Sequence, residues 1–183
     1  MARFLSTAGC RVAMLTGFRD LHAHTQRLRG FRESMERYAP NVELAGPWEF
    51  HDDPDRAQSI ARELLDSDAR IAGFFSTSGD GHGGVGRALV DLGRAGAVQN
   101  IGYDLDDAVR ELMRRDAIQA SIGQDPFSQG YYAIKLLHRH LVDQSTPSER
   151  VLHTRINVML QSNVGCASRG LPRVVENEER GNP

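Results

Sequence analysis

Long apolar runs, cysteine and net charge are what this sequence has little of, and each shortage excludes something. No apolar run approaches the roughly 20 residues that a bilayer-spanning helix needs, so no membrane partner is expected. The two cysteines, Cys10 and Cys166, lie far apart and in no CxxC pair. A disulfide framework is therefore not expected, and the usage suits a reducing compartment. The opening stretch, MARFLSTAGCRVAML, has few charges and no apolar segment followed by a cleavage site. It does not read as a secretory signal, and cytoplasm is the expected location. Formal net charge is only −2. Basic clusters at Arg27, Arg29 and Arg32 and at Arg114 and Arg115 are interleaved with acids, so they read as solvated helix faces rather than a nucleic-acid surface.

What is present suffices for one ordinary globular domain: 183 residues, 40% hydrophobic and 25% charged. Apolar runs read as strands at residues 11–18, within 40–50, at 71–75, 98–103 and 117–122, and within 151–160. Between them, helical spacing appears at 27–38, 57–66, 85–92, 108–113 and 128–141. Pro47 marks the second strand as an edge, and Pro54 suits a first helical turn. Leu28, Phe31, Met35 and Tyr38 share one helical stripe. Gly30, inside that helix, suggests close packing. Residues 1–7 read as the tail of a helix, 19–25 as a loop and 76–84 as a flexible glycine-rich loop. Residues 165–183 are polar and aperiodic, and disorder is expected there. Alternating strands and helices predict a parallel sheet flanked by helices.

Three motifs invite a catalytic reading. His22 and His24 form an HxH after a strand, as in metal-dependent hydrolases; no further ligands fall at matching strand ends, and a loop role is preferred. Residues 81–86, GHGGVG, spell GxGxxG, which offers an NAD- or nucleotide-dependent enzyme as an alternative of another class. However, five residues separate the motif from its strand, where the fingerprint needs a direct turn. Asp106 and Asp107 stand at a helix start, where capping accounts for them. No nucleophile–base pair is evident, so recognition rather than turnover is expected, with no cofactor and no metal.

Residues 101–135, IGYDLDDAVRELMRRDAIQASIGQDPFSQGYYAIK, carry the sharpest signal. Asp104 and Gln124 each stand just past the carboxyl end of a strand, where ligands bind in open α/β sheets. An acid closing a GYD strand, followed by a strand closing in IGQDPFSQGYYAIKLL, resembles the sugar-binding fold of periplasmic binding proteins (type I). The same fold forms the effector-binding core of LacI-type transcription regulators. The resemblance runs, more loosely, from about residue 1 to residue 164.

The resemblance implies that this chain is the carboxyl-terminal lobe only, residues 1–164, with a first lobe expected upstream. Helix 128–141 would pack on that first lobe, and 165–183 would be a tail. It further implies that Asp104 and Gln124 contact the ligand, Gln124 at the hinge between lobes, and that Arg27 reaches the ligand from the start of its helix. Taken alone, Arg27 is equally a surface cation. Ser78 and Asp80 would supply another edge, from a loop that is longer and richer in glycine here than in the family. Phe18 or Trp48 could stack on a sugar, although a core role is expected for each. The implied partner is a sugar or related polyol, with a homodimeric full-length parent that touches DNA only through a headpiece not found in this chain. The expected function is the effector-binding lobe of a LacI-like regulator, worked by ligand-driven closure. The alternative is the substrate-binding component of a sugar ABC transporter.

Overall fold

The structure, a computed structural model, describes residues 9–147 and 149–165. The helix tail expected at residues 1–7 and nearly all of the expected tail fall outside that range. Among the described residues, six strands and five helices follow in order: β1 (Arg11–Thr16), α1 (His22–Tyr38), β2 (Glu43–Glu49), α2 (Pro54–Ser67), β3 (Ile71–Ser76), α3 (Gly79–Asp91), β4 (Gln99–Tyr103), α4 (Asp107–Arg114), β5 (Ala120–Gly123), α5 (Pro126–Asp143) and β6 (Asn157–Leu160). The sheet order is β2-β1-β3-β4-β5-β6. The pairings from β2 to β5 are parallel, and β6 closes the sheet antiparallel to β5.

Strand periodicity sorts the core onto two faces. Ala13, Leu15 and Phe74 point to one face and pack with Ala57, Ala61 and Leu65 of α2 and Val85, Ala88 and Leu89 of α3. Val12, Met14 and Phe75 point to the other, where Leu28 and Met35 of α1 cover them. There the rings of Phe31 and Phe75 stack at 4.0 Å. Burying each such side chain stabilises the fold by roughly 1.5–3 kcal/mol. The edge strand β2 carries Pro47, and its register against β1 shifts between Ala13 and Leu15. An edge tolerates both features.

The structure corrects four expectations. Helix α1 begins at His22, so most of the expected loop at 19–25 is helical. Helix α3 begins at Gly79, so the glycine-rich segment is a packed helix start and not a flexible loop. A Cβ on Gly84 would lie 2.3 Å from the Pro54 carbonyl and 2.8 Å from Ala57 Cβ, and one on Gly81 would lie 2.7 Å from the Phe50 ring. Tertiary packing has overridden poor helix propensity here. Gly30, by contrast, has nothing within 4 Å of its missing Cβ; it packs against nothing and borders an open groove. Phe18 is 42% exposed and not a core residue, whereas Trp48 packs on the core as expected.

Helix α5 is the least covered element. Phe127, Tyr131, Ile134, Leu137, Leu141 and Val142 are all exposed, and Ser128 is its one buried residue. Tyr132 and Leu136 turn inward, toward the sheet.

Candidate functional site

The carboxyl ends of the strands converge on Asp104. Its backbone takes the left-handed conformation, φ +71°, which aspartate tolerates better than most residues. The Asp104 N–H donates to the Ile122 carbonyl at 3.0 Å, and the Ser121 hydroxyl donates to the Asp104 carbonyl. A Cβ on Gly79 would lie 3.3 Å from Asp104 Cβ, so the first turn of α3 is seated against this residue. Position and φ are thereby fixed from β5 and α3 together.

Gln124 lies next to it. Its Nε2 donates to Asp104 Oδ1 at 2.6 Å, while its Oε1 accepts from Arg27 Nη2. Arg27 also donates through Nη1 to the Thr77 carbonyl at 2.7 Å. Its guanidinium lies 4.2 Å from the centre of the Tyr103 ring, a cation–π contact. The result is a continuous polar chain from Thr77 through Arg27 and Gln124 to Asp104, contributed by α1 and by the residues just past the ends of β3, β5 and β4. Burial raises the Tyr103 hydroxyl pKa above its ordinary value, and the arginine beside it works the other way.

The main chain of Gln124 is held as firmly. Its carbonyl accepts from Gln129 Nε2 at 2.8 Å and from Thr154 Oγ1 at 3.2 Å. Asp125, left-handed at φ 54°, caps α5 by accepting from the Ser128 N–H at 3.2 Å. Gln124 borders two depressions. The larger, about 970 Å³, runs over the sheet between α1 and α5 and is lined by Arg27, Gly30, Phe75, Tyr103 and Tyr132 among others. The smaller, about 510 Å³, holds Gly79, Asp104, Asp106 and Asn157. Arg27 lines only the larger, and the carboxylates of Asp104, Asp106 and Asp125 line only the smaller.

Ser78 and Asp80 flank Gly79, the residue seated against Asp104. The Ser78 hydroxyl donates to Asp52 Oδ1 at 2.9 Å. Asp80 is exposed in the first turn of α3. Its pKa is raised by partial burial first, and then by the carboxylates of Asp52, Asp106, Asp104 and Asp53. Asp106 caps α4, accepting from the Val109 N–H at 2.7 Å. The structure thus joins Arg27, Gln124 and Asp104 directly. It ties Ser78 to a residue that sequence reasoning missed, Asp52, and brings Asp80 near only through charge.

Two motifs lose their catalytic reading. His22 and His24 are two apart on a helix and point to different sides: His24 is buried and His22 exposed. Among the described residues, no group of three or more His, Cys, Asp or Glu side chains is placed to hold a metal ion. The GxGxxG motif begins at the third residue of α3, inside the helix and not at the turn off β3 that the fingerprint needs; Gly81 is packed against Phe50 and Gly86 against Leu112 and Ile118, while Gly83 is open. Tyr103 and Asp52 escaped the sequence reading. Tyr103 reads as the last apolar residue of a strand, and nothing in sequence brings Asp52 to Ser78.

Residues 1–145 match the family described as periplasmic binding protein domain. The D-ribose/D-allose-binding protein of Pseudomonas aeruginosa is 25% identical over 144 residues, which is 78% of this chain and 44% of that protein. A solute-binding protein of an ABC transporter from Agrobacterium vitis, solved with D-fucose, superposes with a TM-score of 0.83 at 21% identity, covering 90% of this chain and 55% of that one. The sugar-binding protein of a sugar ABC transporter from Bacillus halodurans gives 0.77 at 26% identity, covering 90% and 59%. This chain spans about half the length of these relatives.

Proposed function

This chain belongs to the periplasmic binding protein domain family, and from that premise we propose that it is one lobe of a monosaccharide receptor of the transport type. Arg27, Gln124 and Asp104 are its ligand-binding residues, with Ser78 and Asp80 at the rim. The observation that carries this is the bonded row Arg27–Gln124–Asp104 at the carboxyl ends of the strands. A carboxylate, an amide and a guanidinium in line offer acceptors, a mixed group and donors in turn. Here they satisfy one another. Adjacent sugar hydroxyls, each both donor and acceptor, can replace those bonds without leaving a charge unpaired, and bonds to charged groups are the stronger ones.

Exposed Phe18 offers a face against which the apolar side of a sugar ring can lie. A second lobe supplies the other half of the cleft, and ligand bridging the two stabilises the closed form. Helix α5, with its uncovered apolar side, packs on that companion lobe. The transport reading is preferred over the LacI-like regulator expected from the sequence because the solved relatives described above are transporter solute-binding proteins. Binding, not turnover, is the activity.

Calorimetry and thermal shift with D-allose, D-fucose, D-arabinose and D-tagatose test this, with NAD and zinc as controls. Saturable binding of at least one sugar to a protein with both lobes, and none of the controls, is the expected result. A melting shift with NAD or zinc and none with sugars would overturn it.

A further inference from the structure

His24 has no part in the row of ligand-binding side chains, yet it is one of the few polar residues almost wholly buried, at 4% exposure. It sits in the first turn of α1, and its Nδ1 accepts the Phe18 N–H at 3.2 Å. The imidazole therefore fixes the turn by which the chain leaves β1. Gly17 lies within that turn. A Cβ built on it would stand 2.0 Å from Asp52 Oδ1 and 2.8 Å from His24 Cε1. The carboxylate and the imidazole thus meet over one glycine, and only a residue without a side chain leaves room for both. Asp52 reaches this place from a backbone that is left-handed at both His51 and Asp52, φ 57° and 52°. The same Oδ1 accepts from the Ser78 hydroxyl.

We propose that His24 is a positioning residue worked by a proton: when neutral it holds Phe18 and leaves Asp52 to hold Ser78, and when protonated it releases both. The inference rests on the binding role proposed above, because Phe18 and Ser78 matter to a ligand only if the strand ends form the site. Its physical basis is separate. A neutral imidazole can accept an N–H at Nδ1; an imidazolium has no lone pair to do so. Protonation leaves the Phe18 amide without its acceptor and places a positive charge beside Asp52, which then turns from Ser78 to the imidazolium. Two parts of the rim, on β1 and β3, loosen together.

The charged groups that act on His24 among the described residues are Asp52, from the turn after β2, and Arg27, one turn along α1. Burial holds its pKa below the ordinary histidine value; Asp52 opposes this and Arg27 adds to it. The rim is therefore set at neutral pH and loosens on the acid side of the usual histidine range.

The test begins without ligand. In the chain as it stands, the Phe18 amide is followed by NMR between neutral pH and the onset of acid unfolding, alongside the His24 ring protons. We expect the amide to shift with the His24 midpoint and its solvent exchange to quicken. His24→Gln keeps an acceptor but no titrating proton, so its Phe18 amide should stay fixed across the same range. His24→Leu should show the released amide at every pH. A Phe18 amide indifferent to His24 titration overturns the proposal whatever the protein binds. D-allose titrations of the two-lobed protein supply the second arm: affinity should fall roughly tenfold through the midpoint, about the effect of one lost hydrogen bond, and stay level in His24→Gln. Affinity level in both proteins would overturn the link to the site. Absence of sugar binding at every pH would instead sink the proposed function, leaving the proton-worked strut to be decided by the amide.

Discussion

Gln124 donates to Asp104 Oδ1 at 2.6 Å, a bond between the residues that follow the last ones of two neighbouring strands of the sheet. It holds the Asp104 carboxylate at the mouth of the sheet, so that on the proposed binding role the site is organised before it is filled. Preorganisation of this kind lowers the ordering cost of binding.

Asp104→Ala should abolish measurable sugar binding in a protein with both lobes. A sugar hydroxyl left unpaired in a closed cleft costs about 1–3 kcal/mol, and more when the lost partner is charged. Gln124→Ala should weaken binding less, because it removes a neutral amide and leaves Asp104 free to accept. Calorimetry on the pair checks the order. Equal losses would mean that Asp104 serves mainly to hold Gln124.

The glycines give a stability series that separates packing from ligand chemistry. Gly84→Ala forces a methyl to within 2.3 Å of the Pro54 carbonyl, and overpacking of this sort costs typically about 1–3 kcal/mol. Gly30 and Gly83 are helical with nothing within 4 Å of a built Cβ. Alanine at either should stabilise the protein by about 0.5–1 kcal/mol through helix propensity. Urea denaturation of the three variants tests the contrast, and a neutral Gly84→Ala would refute the packing account.

Much of the architecture was legible because the inner strands are buried on both faces and read as continuous apolar runs, as RVAMLT does in β1. Asp104 and Gln124 were legible for a related reason, since each is the first polar residue after such a run. The start of α3 was not. SGDGHGGVG is a poor helix former taken alone, and the cause of the helix lies in its neighbour. Gly84 and Ala88 face Ala57 and Ala61 of α2 in one core cluster or directly against it. Small residues four apart on both helices were the available clue to a close crossing. The Asp52–Ser78 bond spans 26 residues and depends on two left-handed residues with no local signature.

His82 should make the protein sensitive to acid. It is fully buried in α3, its Nδ1 faces the Ser78 carbonyl at 3.3 Å, and its Nε2 has no partner among the described residues. A second ring proton would have no acceptor. Burial, the largest cause, holds its pKa down at about 4 against backbone and carboxylate influences that raise it. The unfolded chain takes up this proton near pH 6.5. Stability from the neutral imidazole is therefore complete above that value. It falls as pH drops toward 4, by roughly 3 kcal/mol over the window. Denaturation at pH 7, 5.5 and 4 measures the slope. His82→Gln should flatten it, and a slope unchanged in that variant would assign the acid sensitivity elsewhere.

Helix α5 sets the last expectation. Tyr131, Ile134, Leu137 and Leu141 are 40, 68, 53 and 69% exposed on its outer side, so each leaves in water much of an apolar surface whose burial is worth about 1.5–3 kcal/mol. Side chains of this size, clustered on one helix, mark a surface made to be covered. The inner side is better anchored: Asp125 caps its first turn, Gln129 bonds the Gln124 carbonyl, and Tyr132 and Leu136 face the sheet. The helix should therefore form in the isolated chain yet be held loosely. Its amides from Tyr131 to Leu141 should exchange much faster than those of β1. The chain should also self-associate as its concentration rises. Ile134→Glu and Leu141→Glu together should abolish association. Because both residues are already exposed, they should change unfolding stability by no more than about 0.5 kcal/mol each. Adding a companion lobe should slow exchange across α5 and suppress association without any substitution. Monomeric sedimentation with slow exchange over Tyr131–Leu141 in the isolated chain would show that the helix is already covered, and the assignment of its outer face to a second lobe would fall.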